Sequence, residues 1–387
     1  MRLARWMSRL GTETAFEVLA RAKALEAKGR DIVHLEIGEP DFDTPAHIRA
    51  RAKRALDEGW THYGPAAGLP EARAAVARYL SRTRGVRWDP EEIIITPGAK
   101  PIMTFAVMAL VDPGDEVIYP NPGFPIYESL INFVGGKAVP IPVREENGFS
   151  LDVKELEGLF SRRTRLLILN SPANPTGGVL GERQLSAIAR LVKRYPEVMV
   201  LSDEIYSRVT YGGKVHSLSQ FPGLKDRVIV LDGLSKTYAM TGWRLGFGAA
   251  PRPLIAAMSR LATNSHSCTA SFAQQALIAA LEGPQEPVRR MVREFDRRRK
   301  TIVAGLNKIP GFSCRMPEAA FYAFPNIRGT GMKSKELADL LLDKAGVACL
   351  PGTSFGAHGE GYLRFSYANS VANIKKGLAR IASAMER

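Results

Sequence analysis

The sequence predicts an α/β protein whose large domain is built on a mostly parallel central sheet flanked by helices. Short apolar runs alternate along the chain with longer helix-like segments, which is the pattern of βαβ units. The runs are almost continuously hydrophobic and do not alternate with polar residues, which indicates strands buried on both faces. The length of 387 residues leaves room for a smaller second domain, which we expect to be of the α+β type.

Five apolar runs are the predicted strands. In chain order they span residues 93–95, 116–119, 166–169, 198–201 and 228–231. Helix-like segments lie between them, such as the segment 182–194, which follows Gly181 and ends before Pro196. The spacing of runs and segments therefore predicts the crossover connections that parallel strands require.

A composition shift near residues 283–287 predicts a domain boundary, because a highly charged helical segment follows it. We expect residues 46–285 to form the large domain, which carries most of the candidate ligand-binding residues described below. Residues 1–45 and 286–387 are expected to form the small domain, with an arm at the N-terminal end.

The composition is that of an ordinary soluble protein, with 45% hydrophobic and 24% charged residues. No apolar run approaches the roughly 18 residues that span a bilayer, and no apolar segment follows the basic N-terminus, so neither a membrane span nor a secretory signal is predicted. Three widely spaced cysteines, without a CxxC pair, predict a reducing cytoplasm and no metal site; they are Cys268, Cys314 and Cys349.

The net charge of +14 raises the alternative of a nucleic-acid surface. The basic residues are, however, spread along the whole chain. Their densest cluster, at 289–300, also carries Glu294 and Asp296 at helical spacings, which predicts the solvated face of a helix. We therefore expect no nucleic-acid partner and only a mild attraction for anionic substrates.

Ligands bind outside the carboxyl ends of the strands in an open parallel sheet, so the residues that follow each run are the candidate site. After the first run, Gly98, Ala99 and Lys100 form a turn into a helix-like segment, where free backbone N–H groups favour a phosphate. A plain βα turn is the alternative. After the third run, Asn174 stands between prolines that restrict its backbone. Its side-chain amide could orient a ligand, and an ordinary Asn-Pro turn is the alternative.

The last two runs lead to more specific chemistry. Asp203 ends one of them and requires a partner if buried, such as a protonated pyridine nitrogen, with Tyr206 beside it; a helix-capping aspartate is the alternative. Ser235 and Lys236 follow the next run, where partial burial would free the lysine amine to form a Schiff base. With Arg244 as a fixed charge for a phosphate, these residues indicate pyridoxal phosphate.

The motifs resemble those of the class I aminotransferases, the aspartate aminotransferase family of fold-type I pyridoxal-phosphate enzymes. The most specific motifs are Ser-Lys-x-x-x-Met-Thr-Gly-Trp-Arg-Leu-Gly at 235–246, Asn-Pro-Thr-Gly at 174–177 and Ser-Asp-Glu-Ile-Tyr at 202–206. The resemblance extends from residues 37–42 to residues 363–368. It implies an aminotransferase that binds an amino acid and a 2-oxo acid in ping-pong half-reactions.

The resemblance also implies roles around the cofactor ring. Lys236 corresponds to the Schiff-base lysine and to the base that moves the proton at the substrate Cα. Asp203 would keep the ring nitrogen protonated. Tyr206 and Asn174 would hydrogen-bond the ring hydroxyl oxygen, and Phe124 corresponds to the aromatic residue that stacks on the ring.

The resemblance implies that the backbone of Gly98 and Ala99, together with Ser235 and Arg244, binds the phosphate. Lys100 directly follows this turn and is also predicted to bind the cofactor. Tyr63 corresponds to a tyrosine that reaches the phosphate of the neighbouring subunit. That correspondence implies a homodimer with shared active sites.

The substrate α-carboxylate would be held by Arg364, helped by the backbone at Gly38 and the amide of Asn174. Many aspartate enzymes of the family bind the distal carboxylate with a partner-subunit arginine, but the corresponding loop, residues 262–270, contains none. Another branch places a lysine at the position of Lys100, which would pair with that carboxylate. A lysine that points to solvent is the alternative.

The leading hypothesis is an aspartate:2-oxoglutarate aminotransferase or a broader acidic or aromatic relative. A carbon–sulfur β-lyase is a second hypothesis, because the same scaffold and cofactor residues support it. A non-enzymatic regulator is a third, which we disfavour because no segment of this sequence is left over for a DNA-binding module.

Overall fold

The computed structural model describes residues 1–213 and 215–386 as helices and strands joined by short loops. The helices are α1 (Thr14–Glu26), α2 (Ala46–Asp57), α3 (Pro70–Arg84), α4 (Lys100–Leu110), α5 (Ile126–Val134), α6 (Val153–Leu159), α7 (Glu182–Lys193), α8 (Leu234–Thr237), α9 (Arg252–Ser265), α10 (Ser271–Glu282), α11 (Glu286–Leu306), α12 (Ser334–Leu340) and α13 (Val371–Met385). The strands are β1 (Val33–His34), β2 (Ile93–Thr96), β3 (Glu116–Asn121), β4 (Lys137–Arg144), β5 (Ser150–Leu151), β6 (Thr164–Asn170), β7 (Met199–Asp203), β8 (Val228–Gly233), β9 (Gly246–Ala249), β10 (Tyr322–Ala323), β11 (Val347–Ala348), β12 (Leu350–Pro351) and β13 (Leu363–Ser366). Within this part of the chain, no helix combines the length and the apolar character needed to cross a membrane.

The central sheet has eight strands in the order β2-β9-β8-β7-β6-β3-β4-β5. Strands β4, β3, β6, β7 and β8 pair in parallel, whereas β9 runs antiparallel to both of its neighbours and β5 runs antiparallel to β4. This confirms the predicted fold class. The five predicted strands are present as β2, β3, β6, β7 and β8, with bounds that differ by at most two residues.

Helices cover both faces of the sheet, which explains why its strands are apolar without alternation. In β2, Ile93 and Ile95 pack into one apolar cluster, and Ile94, between them, packs into the cluster on the opposite face. All three side chains are fully buried. A strand with a solvated face would need a polar residue at every second position, and residues 93–95 of β2 include none because neither face meets water.

A second group of elements has its own apolar core. Strands β10, β13 and β12 form a small antiparallel sheet, and β1 pairs with β11 in parallel. Helices α11 and α13 contribute to a core that includes the fully buried Phe295, Phe321 and Tyr367. The division of the chain into a domain of residues 46–285 and a domain of residues 1–45 and 286–387 stays a prediction.

The prediction of a wholly solvated face for the basic cluster at 289–300 is wrong for two arginines of α11. Arg298 is 6% exposed and pairs with Asp41 at 2.6 Å and with Glu294 at 2.9 Å. Arg299 is 9% exposed and donates to the carbonyl of Pro317 at 2.7 Å. Helical spacing shows which charges share a face, but it does not show that segments distant in sequence pack over that face.

A buried ion pair joins the end of α3 to the carboxyl ends of β7 and β8. The Nε of Arg84 donates to Glu204 at 2.7 Å, and its Nη2 donates to Asp232 at 2.5 Å. All three side chains are at least nine-tenths buried. One guanidinium therefore neutralises carboxylates on two adjacent strand ends and holds those ends together.

We expect Arg84→Ala to lower the free energy of unfolding by about 3–5 kcal/mol, because it leaves two buried carboxylates without a cation. The matched control is Arg78→Ala on the same helix. Its pair with Glu282 is largely exposed, so we expect a loss below about 1 kcal/mol. Chemical denaturation followed by circular dichroism measures both variants, and equal losses would contradict the assigned role of Arg84.

Candidate active site

A cavity of about 560 Å³ lies at the carboxyl edge of the central sheet. Strands β6, β7 and β8, the first turn of α4 and the segment before α1 all contribute to its wall. Eleven of the thirteen predicted site residues line the cavity: Gly38, Ala99, Lys100, Phe124, Asn174, Asp203, Tyr206, Ser235, Lys236, Arg244 and Arg364. Gly98 is not part of the lining but directly precedes Ala99, and Tyr63 lies outside the cavity.

Lys236 reaches the cavity from α8, the short helix that directly follows β8. Its Nζ donates to the carbonyl of Gly38 at 2.5 Å. Burial lowers the pKa of the Lys236 amine to about 8, which makes the neutral, nucleophilic form accessible near neutral pH. The position of Gly38 favours glycine for a separate reason, because a Cβ there would lie 2.2 Å from the hydroxyl of the buried Tyr322.

Asp203 lies at the end of β7 and is 5% exposed. Its carboxylate accepts from the Tyr127 hydroxyl at 2.6 Å and from the backbone N–H of Ile205 at 3.2 Å. No lysine, arginine or histidine among residues 1–213 and 215–386 pairs with it, and burial raises the pKa of its carboxyl group to about 6. A cation at this position would be strongly favoured, and a protonated ring nitrogen meets that requirement.

Two tyrosines at the site were missed by sequence reasoning. Tyr127 hydrogen-bonds Asp203, and the hydroxyl of Tyr322 lies 2.7 Å from that of Tyr206. Tyr127 follows Phe124 by three residues, so a helix beginning near Phe124 was a signal that could have found it. Tyr322 stands in a segment without a motif, and only the fold brings it to the cavity.

The turn before α4 and the side chain of Arg244 form a cradle for an anion. Gly98 has a φ of +87°, and a Cβ there would lie 2.2 Å from the Arg244 guanidinium. The guanidinium is fixed by a 2.8 Å hydrogen bond from its Nη1 to the carbonyl of Thr241. The N-terminus of α4, with Ala99 at its start and Ser235 at the cavity wall, adds backbone donors and a favourable dipole. A phosphate group fits this donor set.

Arg364, in β13, presents a second anion site in the cavity. It is 4% exposed, donates to Asn174 Oδ1 at 3.1 Å and also bonds the carbonyl of Glu36. Its guanidinium lies 4.4 Å from the ring centre of Tyr322 and 4.8 Å from that of Phe355, which fixes its plane. Its Nε has no partner among the described residues. A carboxylate in the cavity would complete this set of donors.

Lys100 lies at the start of α4 and points toward the N-terminal segment. Its Nζ pairs with the carboxylate of Glu13 and lies 5.6 Å from the ring centre of Phe124. Glu13 and Phe16, which line the same cavity, were not among the predicted site residues. No sequence signal connects Glu13 to a lysine that stands 87 residues later.

Tyr63 is 91% exposed and takes no part in the cavity of its own chain. The placement agrees with a residue that would act elsewhere, but the contact with a neighbouring subunit stays a prediction. Eleven predicted residues meet in one cavity, which contains Lys236 with its lowered pKa, a buried carboxylate that has no cation among the described residues, and two anion sites. This set can bind a phosphorylated carbonyl compound together with an amino acid.

Comparisons with known proteins agree with this chemistry. The family model for aminotransferase class I and II matches residues 30–381. An aspartate aminotransferase of Pyrococcus horikoshii is 43% identical over 96% of this chain and 94% of that protein. The structure of an aspartate aminotransferase from Rhizobium meliloti is 38% identical, with a TM-score of 0.96 over 100% and 99% of the two chains. That of an aromatic aminotransferase from P. horikoshii is 41% identical, with a TM-score of 0.90 over 94% and 98%. A match along most of the chain, together with a site that can bind an amino acid, makes this protein a member of the class I and II aminotransferase family.

Proposed function

We propose that this aminotransferase uses pyridoxal 5′-phosphate to move the amino group of an L-amino acid, with aspartate as the leading donor, to a 2-oxo acid such as 2-oxoglutarate. The observation that carries the proposal is Lys236, a cavity lysine whose amine has a pKa of about 8. It shares its cavity with a carboxylate that has no cationic partner among the described residues, and with a buried arginine. When bound, pyridoxal phosphate supplies a carbonyl for the substrate amine and a ring that withdraws electrons from the substrate Cα.

The donor set of the cavity supports the binding of such a group. The cradle of Gly98, Ala99, Ser235 and Arg244 would hold the phosphate, and Phe124 would cover the ring. Asp203 would hold the ring nitrogen in its protonated form, because a buried carboxylate gains most from a partner that carries a positive charge. The fully buried Tyr127 hydroxyl orients that carboxylate.

The chain's own groups would then act on the substrate. Arg364 binds the α-carboxylate and so fixes the Cα within reach of Lys236, which moves the proton at that atom. Tyr206 and Asn174 would hydrogen-bond the ring hydroxyl oxygen. Tyr206 is kept protonated, because burial raises the pKa of its hydroxyl group well above the ordinary value, and a protonated hydroxyl can donate that hydrogen bond.

The residues of the cavity support two classes of amino-group donor, acidic and aromatic. Lys100 offers a positive charge for the side-chain carboxylate of aspartate, and several relatives carry the name of aspartate aminotransferase. An aromatic or broad specificity is the second candidate, because Phe16, Met103 and Phe124 also line the cavity and a relative of similar identity is named for aromatic amino acids. We propose aspartate first because an apolar wall tolerates a short acidic substrate, whereas nothing in an apolar substrate would require Lys100.

We also propose that the enzyme is a homodimer with shared active sites, since Tyr63 is fully presented to solvent and lies apart from the cavity of its own chain. The three cysteines, of which Cys314 and Cys349 are buried, form no disulfide bond among the described residues. Their free thiols support a reducing compartment, and we propose the cytoplasm.

Lys236→Ala should abolish covalent capture of pyridoxal phosphate and lower kcat by about a thousandfold or more, because both the amine and the proton-transferring base are lost. Borohydride reduction followed by peptide mass spectrometry locates the captured cofactor. Lys193→Ala, at an exposed position on α7, is the matched control and should behave as the parent enzyme. If another lysine carries the cofactor label in both the parent enzyme and the Lys236→Ala variant, the assignment of Lys236 is wrong.

Cofactor capture by the apoprotein should rise with pH and reach half of its maximum rate near pH 8, the pKa to which burial lowers the Lys236 amine. The rate rises with pH because only the neutral amine attacks a carbonyl, and the lowered pKa makes this form available at a lower pH than for an ordinary lysine. Stopped-flow absorbance of apoprotein mixed with pyridoxal phosphate measures the rate. Free Nα-acetyl-lysine provides the reference, and a protein profile that coincides with it would contradict the effect of burial.

Lys100→Ala should raise the KM for aspartate by roughly tenfold, since a charge-assisted hydrogen bond to the distal carboxylate is lost. The KM for phenylalanine should change much less. Steady-state assays with 2-oxoglutarate present at saturation for each variant measure both constants. Equal changes for the two donors would mean that Lys100 does not select the side chain.

A further inference from the structure

The pair between Glu13 and Lys100 closes one end of the cavity. Both residues line it, and their side chains are 18% and 48% exposed, so water reaches the lysine more than the glutamate. The pair joins the N-terminal segment to the first residue of α4 across 87 positions of sequence. It is therefore a tertiary contact that forms only when the N-terminal segment lies over the cavity.

The position of each residue at the start of a helix leaves its charged group available to the other. Lys100 stands at the N-terminus of α4, where the helix dipole disfavours a positive charge. Glu13 is the N-cap residue of α1, but its side chain accepts no hydrogen bond from the amides of that helix. The carboxylate is therefore free to reach outward, and Lys100 is the cation that it meets.

The pair also stands where the proposed acidic substrate would place its second charge. Arg364 and Lys100 are the cations available for the α-carboxylate and the distal carboxylate. Glu13 carries the same charge as that distal carboxylate, and its field reaches both Arg364 and Lys236. Two carboxylates in contact with one ammonium group repel each other, so an acidic substrate and Glu13 compete for Lys100.

We propose that Glu13 determines specificity at the distal end of the substrate: it holds Lys100 when the substrate side chain is neutral, and it must release Lys100 before a dicarboxylate can bind. The inference rests on the proposed function, in which Lys100 receives the distal carboxylate. A neutral side chain leaves the pair intact and packs against the apolar wall. Glu13 thus admits both classes of substrate, and weakens the binding of the acidic one.

The test measures ligand binding to the holoenzyme by isothermal titration calorimetry. The probes are maleate, an unreactive dicarboxylate, and 3-phenylpropionate, an unreactive monocarboxylate of aromatic character. Glu13→Gln keeps the size of the side chain and removes its charge. We expect it to lower the Kd of maleate about fivefold, the effect of losing a competing half-exposed ion pair, and to leave the Kd of 3-phenylpropionate within about twofold of the parent value.

The matched control is Glu17→Gln, which removes a charge from an exposed position on α1 outside the cavity and should change neither Kd. Glu13→Ala should repeat the effect of Glu13→Gln, and thermal denaturation of each holoenzyme verifies folding. In a Lys100→Gln background, Glu13→Gln should no longer tighten maleate, because no ammonium group is left to compete for.

The outcomes separate this proposal from the proposed function. Unchanged or weaker binding of maleate to Glu13→Gln, or equal tightening of both probes, overturns the role of Glu13 even if the parent enzyme transaminates aspartate. If the parent enzyme neither uses aspartate nor binds maleate, the choice of donor fails. In that case, binding of maleate by the Glu13→Gln variant still supports the role of Glu13. If this variant does not bind maleate either, the role of Glu13 is overturned.

Discussion

The site depends on how the carboxylates at the ends of β7 and β8 are neutralised. Three acidic residues, Asp203, Glu204 and Asp232, lie at these two adjacent strand ends, and all are buried. Arg84 satisfies only Glu204 and Asp232. Asp203 is left with neutral donors, among them Tyr127. The ion pair thus joins the two strand ends, and it leaves one buried carboxylate without a cation among residues 1–213 and 215–386. The protonated ring nitrogen of the proposed cofactor would complete the charge balance, so the fold and the proposed chemistry depend on the same group of charges.

The parallel strands and most of the candidate site could be read from the sequence, because both follow local rules. A strand buried on both faces is apolar throughout, and the residue after such a strand lies at the ligand edge of the sheet. Asn170 and Asp203 are register partners in β6 and β7, which places their loops side by side. Strand β9 escaped this reading because two of its four residues are glycines. The structure explains both: a Cβ at Gly246 would lie 2.4 Å from the backbone nitrogen of Ala99, and one at Gly248 would lie 2.8 Å from Ile102 Cγ2.

Apart from Tyr127, the residues that sequence reasoning missed reach the cavity from segments without a recognised motif. Tyr322 lies in the small antiparallel sheet, and Glu13 precedes α1, far from any motif. Their positions depend on tertiary packing, which no periodicity reports. The same reason accounts for Arg298, whose partner Asp41 lies 257 residues away. Local patterns and the family resemblance therefore identified the groups proposed to hold the cofactor, whereas Glu13 and Phe16 in the cavity wall required the structure.

Relatives named for aspartate and for aromatic amino acids are 43% and 41% identical to this chain, so similarity along the whole chain cannot decide between the donors. The proposed cofactor residues cannot decide either, since every donor would use them alike. The proposed distal end remains, where Lys100 would attract a carboxylate, Glu13 would oppose one, and Phe16 and Met103 would favour an apolar side chain. An aminotransferase must accept two different substrates in one cavity. A cation whose partner lies on the N-terminal segment would meet that requirement, because the charge at the distal end could change without any movement of the central sheet.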